Sequence, residues 1–345
     1  MTEEKRIQRL AFIDVAKAFG VILVVLGHSL GSGEIHDYIY SFHMPLFFIL
    51  CGFSRRWTTF RAKEFGREIW KSVERYVVPY GILMLIAGEL SLHNIKNYIF
   101  VNRNITYMYP LLAKWFLPCF FVSICLSLFL YQMVGRIKNR TVYGIIILFC
   151  AAVLIILGLY FDGARCGDEV LWLANIALMG CAFIFTGILL RLLYNKYLTS
   201  CKFYYDILLL VTAVVVSVVS YRYNFTDGGY MAMVAGIYGT WYWFVLSAVS
   251  GTVSVILLSI CISARGGGKM KWLCYVGQNS MVIMMFHSLF IDIAKRIFSG
   301  LRFTSLFEMV FCIVMCVPCI ELVNRYVPSL AGHSQRSEKW FLLKQ

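Results

Sequence analysis

Charge is scarce in this sequence. Of its 345 residues only 14% are charged, 60% are hydrophobic, and the mean hydropathy is +0.73. A soluble globule of this size needs more polar surface than that, so the composition defines a membrane protein. Several motifs are also missing. There is no zinc signature and no GxSxG nucleophile elbow, and GGGKM near Gly266 lacks both the glycine spacing and the following Ser or Thr of a P-loop. The twelve cysteines lie scattered through apolar runs such as LFCAAV and VFCIVMC. They read as small apolar packing residues, and no metal is expected. A net charge of +14 would suggest nucleic acid in a soluble chain. In a hydrophobic one its placement along the chain matters more, and no nucleic-acid partner is expected.

The first apolar run follows Lys5, Arg6 and Arg9 as a signal peptide would, but it lacks a small-residue cleavage site and carries Asp14 and Lys17. It is therefore expected to stay as the first helix.

What the sequence does have is apolar runs of about twenty residues, the length that crosses a bilayer, recurring from Ala11 almost to the C-terminus. They predict an all-α, polytopic membrane bundle of about ten transmembrane helices. The expected spans are Ala11 to Gly31, Tyr38 to Phe53, Val77 to Leu90, Leu111 to Val134, Val142 to Tyr160, Trp172 to Leu190, Ile207 to Tyr221, Thr240 to Ile262, Leu273 to Ile293 and Thr304 to Val323. The third and seventh are short, and polar GQNS interrupts the ninth. One membrane-embedded domain, residues 1–330, followed by a short tail, 331–345, accounts for the distribution. With both termini cytoplasmic, most of the 32 lysines and arginines fall on the inner side, as the positive-inside rule requires.

The inner loop from Arg55 to Arg75 spaces Trp57, Phe60, Phe65, Ile69 and Trp70 among its charges. This pattern predicts a basic amphipathic helix at the inner surface, binding anionic membrane lipid, the phosphates of a cytosolic ligand, or both. The outer segments Ser91 to Pro110, Phe161 to Leu171 and Arg222 to Gly239 are rich in Tyr, Asn, Asp and Gly, which suits either interfacial anchoring or sugar contacts.

Asp14, Lys17, His28 and His43 stand inside or beside apolar runs. Ionisable groups at membrane depth are expensive and usually mark a pathway or reaction site. Lys17 and His28 are eleven positions apart, so at 100° per residue they return to one helix face, about 20° off, with roughly 16 Å between them. Asp14 shares that face and can pair with Lys17. His43 lies a turn or so below the start of the second helix, and His287 about 21 Å up the ninth. Three histidines from three helices are thus expected in the outer half of the membrane. Snorkelling of Lys17 to the inner interface, and a headgroup-layer setting for His28, are the simpler alternatives. A neutral imidazole can take a proton from a hydroxyl at pH 7, or form an acyl intermediate. It can also relay protons in a transporter, so a proton-coupled exporter of a glycan precursor is the rival expectation. Asp292, Glu308 and Glu321 are assigned only to helix pairing or cavity lining.

The order IDVAKAFGVILVVLGHS, FHMPLFFILCGFSRR, RYVVPY, WFLPCFF, FTGILLR and WLCYVGQNSMVIMMFHSLF resembles the acyltransferase 3 family of integral membrane acyltransferases. Among its groups the chain is similar to the fucose 4-O-acetylase-like proteins, without an additional extracellular domain. The most specific elements are the basic residue followed by histidine, Lys17 and His28, and FHMPLFF with His43. The resemblance implies O-transfer of an acyl group, commonly acetyl from cytosolic acetyl-CoA, to a hydroxyl of a glycan or glycolipid acceptor, by a multi-pass protein of the bacterial cytoplasmic membrane. Acetyl-CoA enters as donor substrate, and no permanently bound cofactor is implied. It makes His28 the leading catalytic residue, with His43, Lys17 and Asp14 beside it. Arg55, Arg56 and Arg75 are the expected contacts of the CoA phosphates, and Trp115, Asn279, Ser280 and His287 the expected lining.

Overall fold

The computed structural model describes residues 11–86, 100–102, 115–161, 169–197, 203–224, 231–265, 270–298 and 304–331. The N-terminal cations Lys5, Arg6 and Arg9, nearly all of the 331–345 tail, GGGKM beyond its last residue and much of the polar outer segments lie outside them.

Within the described residues the chain is an all-α bundle. Its helices are α1 (Ala11–Leu30), α2 (Glu34–Tyr40), α3 (His43–Ser54), α4 (Ala62–Ser72), α5 (Val78–Ile86), α6 (Phe116–Val134), α7 (Arg140–Tyr160), α8 (Ala174–Tyr197), α9 (Phe203–Tyr223), α10 (Trp241–Arg265), α11 (Met270–Gln278), α12 (Ser280–Ile297) and α13 (Thr304–Tyr326). A π-helical turn, Val73–Val77, joins α4 to α5. Two three-residue strands, β1 (Phe100–Asn102) and β2 (Glu169–Leu171), pair antiparallel with Phe100 opposite Leu171. Seven of the described helices, α1, α6, α7, α8, α9, α10 and α13, are long and apolar enough to cross a membrane. The expected second span is divided at Ser41 and Phe42 into α2 and α3, and the ninth at Asn279 into α11 and α12.

Helix α1 packs against α2, α3, α10, α11, α12 and α13, which explains why so few of its residues reach the surface. Around it, glycines permit backbone-to-backbone approach. A Cβ at Gly52 of α3 would run into the carbonyl oxygen of Ile184 on α8, one at Gly187 into that of Ile49, and one at Gly277 into that of Asp14. Small residues at helix contacts are the usual device where lipid removes the hydrophobic drive to associate. Several hydroxyls inside the bundle are satisfied locally. Ser123 Oγ donates to the Cys119 carbonyl at 2.8 Å and also to Ala177 on α8 at 3.1 Å.

Helices α7 and α9 lie at the edge and turn apolar residues outward, including Ile145, Leu148, Phe149 and Ile156 on α7 and Leu208, Val211 and Val215 on α9. Such surface is stable against hydrocarbon rather than water. The polar end of α7 is marked by Asn139, whose side-chain oxygen accepts from the backbone of Thr141 and Val142 at 3.0 and 3.1 Å. Helix α4 is amphipathic as expected: Phe65 and Ile69 rest on the core while Trp70 stays 62% exposed among basic residues.

Candidate active site

Two features meet along α1. The first is a cavity of about 490 Å³ bounded by α1, α3, the π-helical turn, α6, α11 and α12. Lys17, Arg55 and Arg75 supply cationic walls; Ser54, Tyr76, Gln278 and Ser280 add polar groups; Phe47, Leu50, Phe116, Phe120, Met281 and Met284 close it with apolar surface. The chain turns extended at Arg55, at the end of α3 (φ −69°, ψ 141°). That turn leaves Arg55 on the cavity, where Glu68 of α4 holds its guanidinium at 3.0 Å, while Arg56 points to the exposed side. The wider turn at Val73–Val77 carries both Arg75 and Tyr76 to the wall. At the α1–α11 contact Asp14 is buried and accepts a hydrogen bond from Gln278 Nε2 at 3.1 Å.

The second feature is a cluster of histidines at the far end of α1. His28 is accessible, whereas His36, His43 and His287 are buried. The rings of His28 and His287 are 5.0 Å apart. Tyr40 stands in the middle, its ring 5.8 Å from His28, 4.1 Å from His36 and 4.6 Å from His43. Its hydroxyl is 3.2 Å from His28 Nδ1. Backbone carbonyls can only accept, so the contacts of His43 Nδ1 with Ile39 O (2.9 Å) and of His287 Nδ1 with Met284 O (2.8 Å) put the proton on Nδ1 in both rings. Their Nε2 atoms are left with a lone pair when neutral, and His287 Nε2 lies 3.4 Å from Ser288 Oγ.

The two features lie about one helical turn apart. Phe47, on the cavity wall, follows His43 by one turn of α3, and Met284, also on the wall, carries the carbonyl that holds His287. The expected residues therefore divide into two groups. Lys17, Arg55, Arg75 and Ser280 share the cavity, and His28, His43 and His287 share the cluster.

The remaining expected residues stand elsewhere. Trp115 is buried against Phe116 at the start of α6 and is not among the cavity residues. Asn279 sits in the break between α11 and α12, donating to Tyr275 O at 2.9 Å and accepting from Asn324 at 3.0 Å, so it ties α13 to the break. Glu321 accepts from the Tyr275 hydroxyl, Asp292 is half-buried, and Glu308 is buried with Oε2 lacking a hydrogen-bond partner among the described residues. His36 and Tyr40 were not anticipated. With His43 they stand four and three residues apart, the spacing of one helical face, and that was the available signal.

A bundle of apolar, outward-facing helices around a buried polar interior is an integral membrane protein, here with an ionisable site inside it. The family model for an acyltransferase domain matches residues 10–324, nearly the whole chain. The chain belongs to this acyltransferase family, and its activity is that of a membrane acyltransferase. No curated protein matches it.

Proposed function

We propose that the protein is an O-acyltransferase of the bacterial cytoplasmic membrane that moves an acetyl group from cytosolic acetyl-CoA to a hydroxyl of a cell-envelope glycan or glycolipid. The observation that carries this reading is the cationic cavity ending one helical turn from an accessible histidine. The two termini and the Arg55 end of the bundle are cytoplasmic in this reading. Family membership favours group transfer over the export of a glycan precursor.

The CoA phosphates bind Arg55 and Arg75 at the mouth, with Lys17 deeper along α1. A guanidinium grips phosphate through paired hydrogen bonds and Lys17 as a point charge. Arg56, on the exposed side, contributes field rather than contact. The flexible arm of CoA carries the thioester past Phe47 and Met284 toward His28. There His28 takes the proton of the acceptor hydroxyl, the new C–O bond forms as the C–S bond breaks, and the proton passes to the CoA thiolate. His43 and His287 hold the site's orientation through their carbonyl-bonded rings. Asp14 acts at a distance, fixing α11 to α1 below the cavity.

Transfer of label from radiolabelled acetyl-CoA in membranes holding equal amounts of wild type or His28→Ala tests the assignment. Loss of transfer in the variant is the expected result; unchanged transfer would overturn it. Mass spectrometry of envelope glycans with and without the gene identifies the acceptor by an added acetyl mass.

A further inference from the structure

The short helix α2 brings a carboxylate-backed imidazole to the cluster. His36 is buried to 3% exposure, and its Nδ1 lies 2.7 Å from Asp37 Oδ1. A carboxylate only accepts, so the proton of this bond belongs to Nδ1, the arrangement in which a carboxylate fixes an imidazole's tautomer and steadies its cation. Of the four clustered histidines, His36 alone has an ion-pair contact with a carboxylate among the described residues. Its ring lies 4.1 Å from that of Tyr40 at an interplanar angle of 30°, and the His43 ring is 4.6 Å from the phenol at 58°. Tyr40 thus packs against two buried imidazoles with its hydroxyl at His28 Nδ1.

The helix carrying these groups is itself clamped. Arg222 of α9 grips Glu34 through both carboxylate oxygens at 2.9 and 3.0 Å, and Tyr38 donates to Ser217 at 3.2 Å and packs on Tyr221 at 5.6 Å. Nothing in the reading above uses His36, Asp37 or Tyr40, yet α2 is tied to α9 at Glu34 and Tyr38, on either side of His36 and Asp37.

We propose that Asp37, His36 and Tyr40 form a positioning relay for His28: Tyr40 engages Nδ1 so that Nε2 is the atom offered to substrate, and the Asp37–His36 pair locks Tyr40 and supplies the negative charge that steadies the His28 imidazolium. The inference rests on His28 being the reacting histidine. When His28 takes the acceptor's proton on Nε2, both ring nitrogens carry hydrogen, and Nδ1–H donates to the Tyr40 oxygen. The other charged or titratable groups facing the cluster are His43 from α3 and His287 from α12, with Lys295 of α12 on the His28 carbonyl at 3.4 Å. All three are neutral or cationic. Glu308 of α13, buried and within electrostatic reach of Lys295, is a second carboxylate on that side; Asp37 is the one paired with an imidazole of the cluster, and it opposes the repulsion that a second positive charge meets there.

The test compares Tyr40→Phe, Asp37→Asn, Asp37→Glu and His36→Gln with wild type, full length in lipid nanodiscs, with radiolabelled acetyl-CoA and a total glycolipid extract as the acceptor probe. Tyr40→Phe is expected to lower kcat about tenfold or more while the KM for acetyl-CoA stays unchanged, because the cavity lies a turn away. Asp37→Asn is expected to lower kcat and to move the acidic limb of the pH–rate profile to lower pH, since the imidazolium loses its counter-charge; Asp37→Glu restores both in part. A fall in rate with no displacement of the profile in Asp37→Asn, or wild-type rates in Tyr40→Phe, would overturn the relay. Melting of each variant in detergent separates these outcomes from misfolding. If His28→Ala abolishes transfer while the α2 variants behave as wild type, the relay alone fails. If His28→Ala retains transfer, the reading beneath it fails.

Discussion

The imidazoles of His28 and His287 lie 5.0 Å apart, although α1 and α12 stand near opposite ends of the chain. The contact joins an accessible ring to a fully buried one. The two differ in what holds them: His287 donates to a backbone carbonyl of its own helix, whereas His28 meets a side chain of α2.

That difference predicts unequal effects of substitution. His28→Ala removes the accessible ring proposed to act as base and is expected to lower transfer by about 10²–10⁴-fold. His287→Asn, which leaves the accessible ring in place, is expected to cost less, about tenfold to 10²-fold. Initial rates of label transfer at saturating acetyl-CoA measure both, and equal losses would contradict the division.

Arg55 and Arg56 are neighbours in sequence but not in setting. Arg55→Ala removes a cavity cation and is expected to raise the KM for acetyl-CoA by about 10–100-fold, the worth of a charge-assisted hydrogen bond to phosphate. Arg56→Ala, on the exposed side, is expected to change it by less than about threefold. A titration of acetyl-CoA against each variant decides, and a larger effect at Arg56 would move the donor site out of the cavity.

Filling the cavity is a separate test. Ser280→Trp places an indole in the cavity wall and is expected to lower acetyl transfer by about 10²-fold through displacement of the thioester, with little change in thermal unfolding. Wild-type kinetics in this variant would mean that the donor travels by another route.

The glycine contacts carry a prediction about stability. Gly187→Ala drives a methyl into the Ile49 carbonyl and is expected to destabilise the bundle by about 1–3 kcal/mol or more. Gly144→Ala, which meets no atom within 4 Å, is expected to be neutral or stabilising by roughly 0.5–1 kcal/mol through helix propensity. Thermal unfolding of the purified variants in one detergent compares them directly.

Much of this arrangement was legible in the sequence, because lipid enforces long apolar helices and makes each interior charge conspicuous. The helical phase of Lys17 and His28 put the two on one face of α1, the lysine now at the cavity and the histidine at the cluster. The break at Ser41 and Phe42 was not legible: both flanks are apolar, so a hydropathy window runs through it, and the first turn of α2 with His36 fell before the expected start at Tyr38. Asn279 looked like lining because it is polar at membrane depth, yet its amide is spent between Tyr275 and Asn324. The exposure of Arg56 follows from the extended turn at Arg55, a backbone event that adjacent arginines do not announce.

The single turn of helix between the cavity and the histidines has a consequence for the cell. A continuous polar passage along α1 would let protons and small ions cross with the substrates. Phe47 and Met284, apolar residues of the cavity wall, stand one turn before the histidines, in the proposed path of the acyl arm. If the proposed path is right, these apolar side chains are expected to keep the enzyme insulating between turnovers.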